Sequence, residues 1–228
     1  MTAAIEKGQR GLAVACGVLA LWLSVQLCGL FLLDAPHALL LSPLATFLYT
    51  GLFVTAHDAL HGSVAPGRPR TNRVVAAVAL ALYAAFDQRK LRAAHALHHA
   101  VPATAGDPDY SEGEGYARWL LRFVLHYFSL RQLLLLALVG NVLIHLLGVH
   151  PLNLIAVWVA PALLSAVQLF TFGTYLPHRT PPGGHGSVHR ARSLQLSRPL
   201  SFLTCWHFGG RHLVHHEQPW LPWWRLAG

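Results

Sequence analysis

Charge is scarce in this chain: 11% of its 228 residues are Asp, Glu, Lys or Arg, and only nine are acidic. A soluble domain draws about 25% of its residues from these four types, so a surface wholly exposed to water is excluded. Cysteine is rarer still. Three cysteines, with Cys16 and Cys28 inside one apolar stretch, cannot build a disulfide framework. Cys205 is isolated, and a small buried side chain explains it better than a metal ligand does. No G-x-G-x-x-G fingerprint follows a strand pattern and there is no P-loop, so no motif provides a nicotinamide, flavin or nucleotide module of the chain's own. No Ser-His-Asp or paired-carboxylate constellation is visible either.

Apolar residues are abundant, at 54% of the chain, and the mean hydropathy is positive. This predicts an all-α integral membrane helical bundle, formed as a single membrane-embedded domain over residues 1–228. Four segments, Gly11–Leu33, Ala38–Ala56, Gln132–Val149 and Leu152–Tyr175, are long enough to cross a core roughly 30 Å thick, or nearly so. About four transmembrane helices are therefore expected. Val74–Phe86 is too short to span comfortably and reads as an interfacial, re-entrant or buried helix. The first segment exceeds the apolar length of a signal peptide and shows no small-x-small cleavage site.

The linkers "DAPHAL" and "GVHPLN" between paired segments hold no Lys or Arg, so one topology places all 17 basic residues on one side. Because cytoplasmic loops retain positive charge, both termini are expected in the cytoplasm, at the bacterial inner membrane. The net charge of +8 then reflects topology and attraction to anionic lipid, and nucleic acid is not an expected partner.

Sixteen histidines stand out, eight of them in three compact groups. These are "HDALH" (His57, His61), "HALHH" (His95, His98, His99) and "HLVHH" (His212, His215, His216). Helical spacings of three and four put rings on one face, as multidentate metal binding requires. All three groups fall on the predicted cytoplasmic side, forming a histidine-rich cap. Eight imidazoles exceed the needs of one ion and imply two; iron, copper and zinc fit an all-imidazole set equally by softness. His178, at the cytoplasmic end of the fourth segment, is a candidate ninth ligand, and His207 a candidate ligand or hydrogen-bond donor to one. His126 reads as an interfacial residue and His145 as a satisfied core residue. Asp58, Asp107 and Asp109 are candidates to accept the second ring N–H of a metal-bound histidine, although "AGDPDY" also has the composition of a turn. Trp220, Trp223 and Trp224 beside Arg225 suit the headgroup level.

Taken with these groups, the phrases "HDALHGSVAPG", "HHAVPATAGDPDY", "FGTYLPHR" and "LTCWHFGG" resemble the membrane fatty-acid desaturase and hydroxylase superfamily, in its bacterial β-carotene ketolase branch. The resemblance runs over nearly the whole chain from His57 onward. It implies a non-haem di-iron centre held by the eight grouped histidines, with His178 matching the superfamily's additional ligand. It also implies O2 as co-substrate and electrons from a separate ferredoxin or reductase. The expected reaction hydroxylates C4 of a β-ionone ring twice, giving a gem-diol that loses water to leave a ketone; β-carotene would yield echinenone and canthaxanthin, and zeaxanthin would yield astaxanthin. Family members often carry Glu within the third group and a histidine after it, where this chain has "HLVHHEQP", so a hydrogen bond from that Glu is lost or moved to Glu217. "FSLRQ" at 128–132 is also a variant wording. The alternative within the superfamily is a fatty-acyl desaturase or a carotenoid or alkyl hydroxylase. A metal transporter would place ligands near the bilayer midplane rather than at one face.

Overall fold

A computed structural model describes residues 2–226, with side chains from residue 8 onward; the chain ends at 1 and 227–228 lie outside the described residues. Among the described residues every regular element is helical. Helix α1 (Thr2–Leu27) widens into a π-type turn at Cys28–Leu32. Asp34 then caps the short α2 (Ala35–Leu40), its Oδ1 accepting the His37 amide at 3.2 Å. The predicted segment Ala38–Ala56 is divided at Leu41, beyond which α3 runs Ser42–Leu60 with Pro43 in its first turn. Helix α4 (Pro69–Ala84) ends at a left-handed Ala85, and Asp87 caps α5 (Gln88–Ala100) by accepting the Arg89 and Lys90 amides.

Helices α6 (Tyr116–Tyr127) and α7 (Leu130–His145) meet at an 81° bend. Helix α8 covers Pro151–His178 and contains two π-type turns, Ile155–Val159 and Phe170–Tyr175. Three short helices follow: α9 (Arg198–Cys205), α10 (His212–Glu217) and α11 (Trp223–Leu226).

Among the described residues two helices, Gly8–Leu32 and Pro151–His178, are long and apolar enough to cross a membrane, and the bent α6–α7 pair is a third if counted as one broken span. Helix α3 is less apolar because His57, Asp58 and three threonines interrupt it. It tolerates them because it runs through the protein interior, packed on α1, α4 and α8, with Tyr49, Leu52 and Ala56 fully buried. The lipid-compatible surface lies elsewhere: Leu32, Leu40, Leu130 and Leu146 are each at least 70% exposed.

The π-type turns are held by side-chain donors. Asn153 Nδ2 donates to the Gly29 and Leu33 carbonyls at 2.9 and 2.7 Å, Gln26 Nε2 to the Val157 carbonyl at 2.9 Å, and Ser42 Oγ to the Ala156 carbonyl at 2.5 Å. Buried backbone acceptors that the widened ladder leaves over are thereby satisfied. These bonds fix one end of the bundle. At the other end a β-carbon on Gly11 would lie 1.9 Å from the Val64 carbonyl oxygen, so only glycine permits α1 to approach the loop after α3. That end also carries the last turns of α3 and α8, where the histidines begin.

Candidate metal centre

Four helices deliver imidazoles to one place. His57 and His61 lie one turn apart at the end of α3; His95, His98 and His99 line α5; His178 is the last residue of α8; His212, His215 and His216 line α10. Their donor atoms form two groups, and within each the atoms lie within 4.8 Å of one another: His57, His61, His95, His99 and His215, and His98, His178, His212 and His216.

The partition follows helical geometry. On α5 the i, i+4 pair His95 and His99 serves the first group, while His98 is rotated about 100° from His99 and serves the second. On α10 the pair His212 and His216 serves the second group and His215 the first. Both helices therefore straddle the two groups, which adjoin where His99 stacks on His216 with ring centroids 4.4 Å apart.

The residues fit a cation at each group. His178 Nδ1 lies 3.0 Å from the Arg190 carbonyl, an acceptor only, so the proton sits on Nδ1 and Nε2 presents a lone pair. His98 Nδ1 lies 2.9 Å from Asp107 Oδ2, which fixes its tautomer in the same way. Yet Nε2 atoms meet at close range: His178 to His212 at 2.8 Å, His216 to His212 at 3.1 Å, His61 to His95 at 2.7 Å and His215 to His99 at 3.1 Å. Nitrogen lone pairs converging in a dry interior repel unless positive charge lies between them. Among the described residues the Nδ1 atoms of His57, His212, His215 and His216 are buried without a hydrogen-bond partner, so proton sharing among the rings does not satisfy the set.

Burial, reinforced by neighbouring imidazoles, keeps the rings neutral and able to donate to a metal. It lowers His61 to about 4 and His99 to about 2, and holds His95, His212 and His215 well below the usual histidine range. His98 is the exception. Burial pushes it down, but the Asp107 hydrogen bond and the nearby Asp109 and Asp107 charges raise it on balance.

The carboxylates divide their tasks. Asp107 accepts from His98 and from the Ala103 and Asp109 amides at 2.8 and 2.9 Å, so the turn suggested by "AGDPDY" and the support of a histidine are one arrangement. Asp109 accepts the Tyr127 hydroxyl, and its Oδ2 lies 3.8 Å from His98 Nδ1. Asp58 Oδ2 accepts the Trp223 amide at 3.0 Å and so anchors α11, while its Oδ1 stays 3.5 Å from His57 Nδ1, beyond a good hydrogen bond.

Other candidates fall outside both groups. His207, with φ of 72°, packs on Phe202 and places Nδ1 3.3 Å from Ser201 Oγ. Cys205 is a buried wall residue whose thiol burial pushes up to about 12. His126 is exposed, as an interfacial residue would be. His145 is exposed at the end of α7 rather than satisfied in a core, because α7 presents most of its surface outward. Trp220 is 63% exposed, whereas Trp223 packs edge-on against Trp206 at 4.6 Å and helps lock the third histidine group.

A cavity opens beside the imidazoles. Histidines from α3, α5 and α10 form one wall; Phe53, Tyr83, Phe86, Phe123 and Leu169 give the remainder an apolar, aromatic lining. Sequence reasoning missed Tyr127 and the Arg190 carbonyl, since neither belongs to a motif. A reactive centre against an apolar chamber suits oxidation of an apolar molecule with water excluded.

Comparison with known proteins agrees. The fatty acid desaturase family model matches residues 33–140 and 128–227. Over 219 residues the chain is 43% identical to a β-carotene ketolase of a Paracoccus strain and 45% identical to that of a second, covering 94% of this chain and 90% of each relative. A zeaxanthin 4-ketolase of Chlamydomonas reinhardtii is 38% identical over 233 residues, covering 95% of this chain and 52% of the relative. No solved structure gives a significant match. With the family model covering most of the chain and relatives aligned along nearly all of it, this protein belongs to the fatty acid desaturase family.

Proposed function

We propose that this chain is a carotenoid 4-ketolase, an O2-dependent oxidoreductase that converts the C4 methylene of a β-ionone ring to a ketone, with the two histidine groups holding two iron ions. The observation that carries this reading is the convergence of nine buried or partly buried imidazoles against an apolar cavity, in a chain aligned over 94% of its length with β-carotene ketolases. Bound iron would supply O2 activation, which an unreactive ring C–H demands and which no acid, base or nucleophile in the chain provides.

The chain's own residues do the rest. Asp107 holds His98 in the tautomer that turns Nε2 to the metal, and the Arg190 carbonyl does the same for His178. Phe53, Phe86 and Phe123 receive the ring and exclude water. His207 and Asp58 are assigned structural tasks, at the turn after α9 and at the docking of α11.

In the membrane, α1, α3, α7 and α8 make four crossings, with α3 shielded by its neighbours. The basic loops set the histidine cap on the cytoplasmic side of the bacterial inner membrane. Electrons come from a separate ferredoxin or reductase, steered by the basic face that includes Arg68, Arg70, Arg73, Arg89, Lys90 and Arg92.

The test is pigment extraction from a bacterial host making β-carotene, with and without this chain. Echinenone and canthaxanthin, absent with His98→Ala, are expected. Unchanged β-carotene beside iron-loaded membrane protein and an electron donor would sink the ketolase reading and put lipid oxidation first.

A further inference from the structure

A second cavity, of about 510 Å³, lies where the turn between α4 and α5 meets the bend between α6 and α7. Arg89 and Lys90 from the first turn of α5 and Arg131 from the first turn of α7 line it, against a single carboxylate, Asp87. That carboxylate is already engaged. It accepts the Lys90 and Arg89 amides, and these bonds, ahead of the Arg89 and Arg131 charges, hold it below the usual carboxylate range. Ser129 Oγ donates to Gln132 Oε1 at 2.8 Å, Gln132 Nε2 to the Ala84 carbonyl at 3.2 Å, and Lys90 Nζ to the His126 carbonyl. Among the described residues the Arg89 and Arg131 guanidiniums make no ion pair.

The two helices that frame this cavity fix its depth. Helix α7 leaves Leu130, Leu133, Leu134 and Leu138 each at least 52% exposed, as a lipid-facing helix does. With α7 crossing, the 81° bend lays α6 along the membrane plane. Its composition suits that place: Leu121, Val124 and Leu125 are exposed on one face, while Trp119 is buried and Phe123 and Tyr127 line the chamber beside the histidines. The bend therefore marks the headgroup level. From there Arg131 begins a stripe, because Leu135, Leu138 and Val142 follow at i+4, i+7 and i+11 on the same face of α7, all three exposed. At 1.5 Å rise per residue the stripe descends about 16 Å, the depth of one leaflet in a core roughly 30 Å thick.

We propose that this cavity binds the phosphate headgroup of an anionic phospholipid, held by Arg89 and Arg131 with Lys90 beside them, while an acyl chain follows Leu135, Leu138 and Val142 into the leaflet. Guanidinium forks match phosphate oxygens two at a time, and a basic pocket at the membrane surface attracts net negative charge. A hydrocarbon pigment would gain nothing from three cations, and a zwitterionic lipid would bring its own ammonium against them. Phe86, Leu91 and Tyr127 line both this cavity and the chamber beside the histidines, so the lipid sits on the outer side of the chamber wall. The proposal rests on α7 crossing the bilayer and is independent of the reaction catalysed.

The experiment titrates the purified full chain, in a neutral detergent, with phosphatidylglycerol, phosphatidylcholine or inorganic phosphate, and counts adducts by native mass spectrometry. Wild type is expected to take one phosphatidylglycerol about tenfold more tightly than phosphatidylcholine, and Arg89→Gln/Arg131→Gln to lose that preference. Arg68→Gln/Arg70→Gln removes the same charge at the start of α4 and is expected to keep it. All four side chains are exposed, so both double variants should fold, and the ratio of two lipid affinities from one preparation is independent of yield. Equal affinity for the two lipids, an equal loss in both double variants, or displacement of the lipid by an equal concentration of inorganic phosphate would each overturn the proposal. So would a preference left intact in Arg89→Gln/Arg131→Gln while an acidic electron donor reduces the iron-loaded protein more slowly, which would give these charges to the donor instead.

Discussion

His98 Nδ1 lies 2.9 Å from Asp107 Oδ2, while the same ring belongs to the group completed by His178, His212 and His216. A carboxylate thus orients a candidate ligand through a turn whose Ala103 and Asp109 amides hold that carboxylate in turn. Asp107→Asn keeps the shape and removes the charge. It is expected to weaken iron binding about 10- to 100-fold, measured as iron per protein during titration with a chelator. Undiminished retention would show that Asp107 acts on the turn alone.

His178 and His207 make a matched pair, since both lie beyond the three compact motifs and only His178 stands within a histidine group. His178→Ala is expected to bring iron from two ions per chain toward one, and His207→Ala to leave it at two, by elemental analysis of purified protein. Loss of iron from His207→Ala would mean that the turn after α9 moves on metal binding.

Much of this site was legible in the sequence because its chemistry is written in residue types whose alternatives are few. Three helical histidine spacings announced the convergence of imidazoles into two groups, and the absence of basic residues from two linkers announced which ends lie together. The partition was hidden, because His98 and His99 are adjacent in sequence yet serve different groups. Breaks in the spans were hidden too. The 81° bend between α6 and α7 and the π-type turns arise from tertiary hydrogen bonds such as Asn153 to Gly29, which no local pattern signals. Nor does sequence announce left-handed backbone at Ala103, Arg190, Trp206 and His207, where glycine would be the default, although Ala103 and Arg190 present backbone groups to the site.

Gly51 on α3 shows how tightly the third histidine group is tied to the bundle. A β-carbon there would meet Trp206 Cζ2 at 2.4 Å, and Trp206 stacks on Phe47 at 4.6 Å with its Nε1 donating to the Phe47 carbonyl at 3.0 Å. The indole has no free direction in which to retreat. Gly51→Ala is expected to cost about 1–3 kcal/mol, seen as a lower thermal midpoint in detergent, and to lower iron content as α9 and the chain leading to α10 shift. An unchanged midpoint would mean that the helices separate there without strain.

Gly173 offers the opposite case on the facing wall. It lines the cavity, and no atom lies within 4 Å of its missing β-carbon, so the space beside it is empty rather than packed. Side chains added there meet substrate before they meet protein. Gly173→Ala raises helix propensity by about 0.8–1 kcal/mol, so its thermal midpoint should be equal or higher. Gly173→Leu should also fold and keep two irons per chain, yet fill the room the ring needs and lower ketolation at least tenfold. Iron content, thermal midpoint and product yield measured on the same preparations separate a blocked cavity from a damaged fold. Full ketolation by Gly173→Leu would show that the ring reaches the histidines along another wall.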